Sequence, residues 1–510
     1  MAVKYGRTVS RLHVHWTSSS GTTELSKLLD QETSNAENAK EVDLNGSTLF
    51  PGFQDAHIHL GIGGSDLLQC NLLGLDSVER VAVAIANYSS KHTELEWVLG
   101  GGWDQHMFPT GPTSQLLDSL VGGRKALFHA HSRHAAWASS AALEAAGIDK
   151  YTPDPENGVI ERDVSGKPTG LLLENAIALF DSVIPESTHD MRGNSILAAQ
   201  DHLLRLGVTS IQDALVGTGL GVPDHHAAYM QLLRTDALLL RVTAALWWDP
   251  ALGTEQICNL IERRSLLESA GPEGKVIADT VKLMIDGTNL VFMDREAVFE
   301  AVRALDSSGF TVHFHSYGEA STMHILDAIE SAQKLNLSSG RRHHIAHLMV
   351  VREEDFERFA RLNVTANIQG LRSDGPVPHE LIRPTQLSCD PHRREYAFAR
   401  MQMAGTRLAA GSDWPVSSAD PLDAAFVASS RLLRDGTAEI DSLDTLDLAA
   451  VFSAYTVGSA YVNGRAENTG RVARGFLADL AVLDGDPFSQ GAGAREVKVV
   501  ETWIGGTRRF

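Results

Sequence analysis

Eight short aliphatic runs, most of them closed by a polar residue, constrain this chain more than any other feature. They are Ser47–His59, Gly207–Asp213, Arg241–Trp248, Thr280–Asp286, Thr311–His315, His344–Leu348, Val364–Gln369 and Leu408–Asp413. The six intervals from Asp213 to Asp413 average about 33 residues, near the ~31 per βα unit of a 250-residue eightfold barrel. Amphipathic helical segments fill the gaps: Glu319–Leu335 carries Met323, Ile325, Leu326 and Ile329, and Glu353–Leu362 carries Phe356 and Phe359. The period predicts an α/β chain built on a (β/α)8 TIM-type barrel.

One interval breaks the period. Roughly 150 residues separate His59 from Gly207, so residues 62–200 are expected to form an inserted α/β subdomain over the barrel mouth, with strands at Glu96–Trp103 and Lys125–His131. At the other end, residues 470–484 and Glu496–Ile504 alternate like antiparallel strands, which cannot extend a parallel barrel. A small β-sandwich of residues 1–50 plus 465–510 is the expectation, leaving 51–61 plus 201–464 as the barrel.

A chain of 510 residues is long for one core and suits a barrel with accessory domains. Its formal charge of −20 argues against nucleic acid or anionic membrane surfaces as partners. A small-molecule substrate is the expected partner, and a homo-oligomer is left open. Three cysteines, Cys70, Cys258 and Cys389, are too few and too far apart for a disulfide framework or a Cys-x-x-Cys zinc site. With no 18-residue apolar run and no signal-peptide pattern, the expected location is cytoplasmic.

In such a barrel the chemistry sits at the C-terminal ends of the strands, so the closing residues matter most. The first run ends in His57-Ile-His59, and alternate residues of a strand share a face, so both imidazoles can serve one metal ion. A second pair, His13-Val14-His15, lies in a polar stretch with no aliphatic run before it and serves as an internal control. Later strands add His315, His347, Asp413 and Lys282. His313 shares a face with His315, and the one nearer the strand end is preferred as ligand. His343 and His344 are expected to be solvated or to lie behind the ligands. Lys282 is ambiguous. An ammonium has no lone pair for a metal, whereas a carbon dioxide-derived carbamate would be an anionic bridge; the alternative is a lysine paired with Asp279 or Asp286. Asp413, in Gly411-Ser-Asp-Trp-Pro415, either binds metal and its water or caps a turn.

These residues resemble the amidohydrolase superfamily and, within it, the family-3, YtcJ-like group. The likeness rests on Pro51-Gly-Phe-Gln-Asp-Ala-His-Ile-His59, Val281-Lys-Leu-Met-Ile-Asp-Gly287 and Gly411-Ser-Asp-Trp-Pro415. Gly101-Gly-Trp-Asp104, Gly166-Lys-Pro-Thr-Gly-Leu-Leu-Leu-Glu174 and Gly475-Phe-Leu-Ala-Asp479 add to it. It implies a site of two divalent metals, zinc in type, held by His57, His59, carboxylated Lys282, His315, His347 and Asp413. The chain departs from the family at His315-Ser-Tyr-Gly-Glu319, where His-Ala-x-Gly-Asp is usual, and at Ala346, where a glutamate is usual.

Such a site suits hydrolysis of a non-peptide C–N bond, in an amide, N-acyl or N-formyl amine, by metal-activated hydroxide, with Asp413 as general base and then acid. Trp103, His134 and Glu174 of the insertion are the candidate substrate contacts. The rival readings are a mononuclear amidine- or nucleobase-type deaminase, which would not need Lys282, and a non-catalytic binding protein that keeps the fold.

Overall fold

The computed structural model describes residues 3–5, 8–10, 42–108, 111–131, 135–155, 158–219, 222–287, 290–291, 293–337, 340–371, 395–430, 444–473, 475–489 and 496–510. The control pair His13 and His15, together with His134 and Cys389, lies outside the described residues. The chain divides into two units. One comprises Met1–His59, Gln200–Val216 and Tyr229–Phe510, the other Leu60–Ala199 and Gly217–Ala228.

The first unit is built on eight parallel strands: β1 (Phe53–Ile58), β2 (Val208–Val216), β3 (Arg241–Trp247), β4 (Val276–Met284), β5 (Thr311–Ser316), β6 (His344–His347), β7 (Thr365–Ile368) and β8 (Arg407–Ala410). They pair in chain order. Every residue of β1, β2, β5, β6 and β7 is buried, as expected of a parallel sheet covered on both faces. β8 returns to β1 through single hydrogen bonds: Asp413 N donates to His57 O at 2.8 Å, and His59 N donates to Trp414 O at 2.9 Å. Asn367 Nδ2 of β7 also reaches Ala56 O, at 2.8 Å. The barrel is thus the (β/α)8 TIM-type fold that the sequence period predicts.

The first run, expected as one strand from Ser47 to His59, is cut in two at Gly52. Thr48–Pro51 joins an antiparallel sheet with Leu480–Leu483, Val499–Ile504 and Thr507–Arg508, while Phe53 onward enters the barrel. Gly52 N donates to Asp479 O at 2.8 Å, and a Cβ at Gly52 would lie 2.3 Å from Thr209 Oγ1. Only glycine lets the chain change sheets so close to β2. Among the described residues of 470–484, expected as a strand, only Leu480–Leu483 is a strand. The two chain ends are represented among the described residues by this four-stranded sheet and an antiparallel pair of strands, Val3–Tyr5 with Thr8–Ser10.

Arg241, at the start of β3, holds the C-terminal sheet through a buried two-pronged pair. Its Nε lies 2.5 Å from Asp479 Oδ2, and its Nη2 lies 3.0 Å from Asp479 Oδ1. Asp479 Oδ1 also accepts from Gly505 N at 2.8 Å.

The second unit contains a six-stranded mixed sheet in the order Cys70–Asn71, Trp97–Trp103, Lys125–Ala130, Ala135–Ala138, Pro168–Glu174, Gly158–Arg162. The two strands expected in the insertion lie adjacent and parallel in it. Helices Val78–Lys91 and Ser114–Val121 cover one apolar cluster, and Ser140–Ala145 contributes to another. Among the described residues no helix is long and apolar enough to cross a membrane.

Candidate metal centre

The strand register assembles the centre. β4 and β5 pair Lys282 with His313 and Met284 with His315, and β5 and β6 pair Ser316 with His347. β1 supplies His57, with His59 just beyond its end. Asp413 enters from the turn after β8, and glycine makes that approach possible, since a Cβ at Gly411 would lie 2.6 Å from His57 N. The next residues are then pinned. Ser412 N donates to both carboxylate oxygens of Asp55, at 3.1 and 3.2 Å, and Ser412 Oγ accepts from Trp414 N at 3.0 Å.

The Asp413 carboxylate lies among three imidazoles. Its Oδ1 is 3.3 Å from Nε2 of both His57 and His59, and its Oδ2 is 3.9 Å from His347 Nδ1. One donor atom each from His57, His347 and Asp413 falls within a 4.8 Å cluster, and all three residues are buried. The His315 ring packs 4.4 Å from that of His347. His347 and Asp413 have positive φ, 76° and 58°, a conformation that costs energy in a non-glycine residue and recurs at functional sites.

Charge within the cluster is set by burial against close contacts. Burial by itself raises the Asp413 carboxyl, but the contacts with His57 and His59 and the charge of His347 outweigh it and hold the group well below the usual carboxylate range. Burial, reinforced by Lys282, holds His57 well below the usual imidazole value, and burial likewise lowers His315 despite Asp286. The imidazoles of His57 and His315, held neutral by burial, and an ionised Asp413 carboxylate are donors of the kind a divalent cation takes.

Lys282 is 2% exposed, and its Nζ has no hydrogen-bond partner among the described residues. The two acids expected as its alternative partners are engaged elsewhere. Asp279 pairs with Arg342 at 2.5 Å, and Asp286 lies against His315 at 3.2 Å. Burial pushes the ammonium down to about 7, opposed by Asp413. An unpartnered buried amine among metal-ligand side chains, with His57 Nε2 likewise lacking a hydrogen bond of good geometry, fits a site built around a cation.

The sequence-named residues His57, His59, Lys282, His315, His347 and Asp413 therefore lie at the ends of neighbouring strands of one unit. His313 is no outward alternative to His315, because its Nε2 lies 2.8 Å from His57 Nδ1, behind the ligand. His343 and His344 are buried, which removes the solvated alternative of the two expected for them. His343 Nδ1 accepts from Val312 N at 3.0 Å, and His344 lies between Arg342 O and Gln212 Oε1 at 2.9 and 2.7 Å.

Trp103 is fully buried in the core of the second unit, with its indole N–H on Phe128 O at 2.8 Å, and it packs edge-on against Phe108 and Trp137. Glu174 is exposed at the end of a strand with φ 51°. Sequence reading overlooked two residues that shape the centre. Asp55 shares a strand face with His57, a signal available from simple alternation. Tyr317 rests its ring 4.3 Å from His315 and 5.1 Å from His347, which no spacing rule announces.

The sequence model of the amidohydrolase family matches residues 40–510. The chain belongs to the amidohydrolase family. An amidohydrolase is a hydrolase, and His57, His347 and Asp413 form a candidate site for its divalent metal. Among curated relatives, YtcJ of Bacillus subtilis (strain 168), which carries an amidohydrolase name, is 29% identical over 88% of this chain and 86% of its own length. N-substituted formamide deformylase of Arthrobacter pascens is 27% identical over 93% of this chain and 90% of its own. Among solved structures, a metal-dependent hydrolase from Pyrococcus horikoshii OT3 shares the amidohydrolase fold with a TM-score of 0.70 at 24% identity, covering 91% of each chain.

Proposed function

We propose that this amidohydrolase cleaves a non-peptide C–N bond, in an amide, N-acyl or N-formyl amine of a small molecule. In this reading two zinc-type ions are held by His57, His59, His315, His347, Asp413 and a carbamate on Lys282. The observation that carries the reading is the buried, unpartnered Lys282 Nζ, pushed down to about 7. The free amine is the form that adds carbon dioxide: a nitrogen–carbon bond forms, one C–O π bond opens, and a proton leaves. The resulting anion has two oxygens and can bridge two cations. The name of the Arthrobacter pascens relative supports an N-formyl amine as the first substrate class to test.

Bound divalent ions would polarise the scissile carbonyl and lower the pKa of a water toward ~7. The protein's own part is proton transfer. Asp413, held ionised between His57 and His59, accepts the proton of the attacking water and returns it to the departing nitrogen. The C–N bond then breaks, giving a carboxylic acid and an amine.

The test is a panel of N-formyl and N-acyl amines assayed with the zinc-loaded protein before and after chelation, alongside metal counting. Two ions per chain and chelator-sensitive release of amine are expected. One ion per chain with turnover of amidines would favour the mononuclear deaminase, and two ions with no turnover across the panel would overturn the proposed substrate class.

A further inference from the structure

The residue that follows Lys282 by four holds a second group in the centre. Asp286 lies two residues beyond β4 and is 2% exposed. Its Oδ1 accepts from Tyr317 N at 2.9 Å, and its Oδ2 accepts from Tyr317 N at 3.2 Å and from Gly318 N at 3.0 Å. These backbone donors fix the plane of the carboxylate without help from any imidazole. Against that fixed plane, His315 Nδ1 lies 3.2 Å from Oδ1.

A carboxylate accepts hydrogen bonds, so the ring nitrogen facing it is the one that carries the proton. In a neutral imidazole the lone pair is then on Nε2. We propose that Asp286 is a positioning residue for the metal centre, holding His315 in the Nδ1–H tautomer and in the ring rotation that presents Nε2 to an ion. The inference rests on His315 being a metal ligand, as in the proposed function. The segment Lys282–Asp286 then serves the centre twice, once with the lysine and once through the orientation of a histidine from the next strand. A positioning acid acts through its histidine. It raises the basicity of its histidine and removes the rotational freedom that metal binding would otherwise have to freeze out.

Asp286→Asn separates this role from simple anchoring. The amide keeps the size of the side chain and an oxygen for Tyr317 N and Gly318 N, but it turns an NH2 group toward His315 Nδ1 and so favours the other tautomer. Cobalt(II) binding to the full-length chain is measured by competition with a chromophoric chelator and by visible absorption, with His315→Ala in parallel. The expected result is a ~10- to 100-fold weaker affinity for one cobalt ion and an altered spectrum in D286N, with His315→Ala losing that same ion. Wild-type affinity and spectrum in D286N while His315→Ala loses an ion would overturn the positioning role, whether or not the melting temperature of D286N falls. An unchanged cobalt count in His315→Ala would instead overturn the ligand role of His315, and the inference with it. Should D286N not fold, ring 15N spectra of the wild-type chain, assigned with His315→Ala, read the tautomer directly: Nδ1–H is expected, and Nε2–H overturns the proposal.

Discussion

His57 and His313 share one hydrogen bond, with Nδ1 of the first 2.8 Å from Nε2 of the second, between two rings that are both fully buried. Burial and the nearby Lys282 lower both imidazoles, so each ring carries one proton and the pair can share only one between these atoms. If His57 donates, its lone pair is on Nε2, the atom facing Asp413. His313 would in this way orient a candidate ligand, supplied by β5 for β1.

Replacing His313 by Phe tests that relationship. The aromatic ring keeps its packing against His344, 4.4 Å away, while the acceptor nitrogen is lost. Metal affinity should fall ~10- to 100-fold with little change in far-ultraviolet circular dichroism. Wild-type metal affinity in His313→Phe would reduce His313 to a packing residue.

Asp479 closes the motif Gly475-Phe-Leu-Ala-Asp479, whose purpose is structural. It pairs with Arg241 through both oxygens, and Gly505 N adds a third donor. Asp479→Ala would remove both carboxylate oxygens from the buried Arg241 guanidinium, and removing one partner of such a pair costs ~3–5 kcal/mol. Chemical unfolding of the metal-free chain should read that loss. The double variant Asp479→Ala, Arg241→Met should recover part of it, since the buried charge is gone.

Much of this architecture is legible in the sequence because parallel barrel strands are apolar on both faces and end in a polar residue. The helix Glu319–Asn336 falls where its apolar period puts it. The break at Gly52 was not legible, because it depends on how close Thr209 comes from a strand 157 residues later. The candidate ligand histidines could be named from strand ends, but most of the residues that touch them could not. His313 and Asp286 make their contacts between strands, and a one-dimensional spacing records only contacts within one, whereas Asp55 lay within reach of simple strand alternation. The choice between His315 and His313 followed from position along the strand, whereas the function of the residue set aside became visible only from its distance to His57.

Lys282 gives a pH-dependent prediction. Its folded value, about 7, lies below the ordinary lysine value of 10.5, so the unfolded chain binds the extra proton between those limits. The depressed value therefore makes this group disfavour folding below pH ~7, with the penalty relieved as pH rises from ~7 toward ~10.5. The same deprotonation exposes the amine to carbon dioxide. At fixed dissolved carbon dioxide, the rate at which the metal-free protein becomes competent to bind two zinc ions should rise through pH ~7 and level off above it. Lys282→Ala should abolish the carbon dioxide dependence; if it persists in that variant, the carbamate is elsewhere or absent.

Asp55 carries the opposite sign. Burial raises its carboxyl to about 7, opposed by Ser412 and the backbone of His57 and assisted by the charge of Asp413. A folded value above the ordinary 3.8 means that the folded chain binds the extra proton between pH ~4 and ~7. The stability this confers is complete below pH ~4 and is lost as pH rises through ~7. Asp55→Asn keeps an acceptor for Ser412 N and His57 N and cannot ionise. The metal-free wild type should therefore lose stability relative to Asp55→Asn between pH 4 and 7, by an amount on the order of 4 kcal/mol at most. Urea unfolding of both chains across that range measures the difference. Parallel curves would mean that Asp55 is ionised in the folded chain well below pH 7. Zinc should shrink the difference, because a cation beside Asp413 offsets the repulsion that helps keep Asp55 protonated.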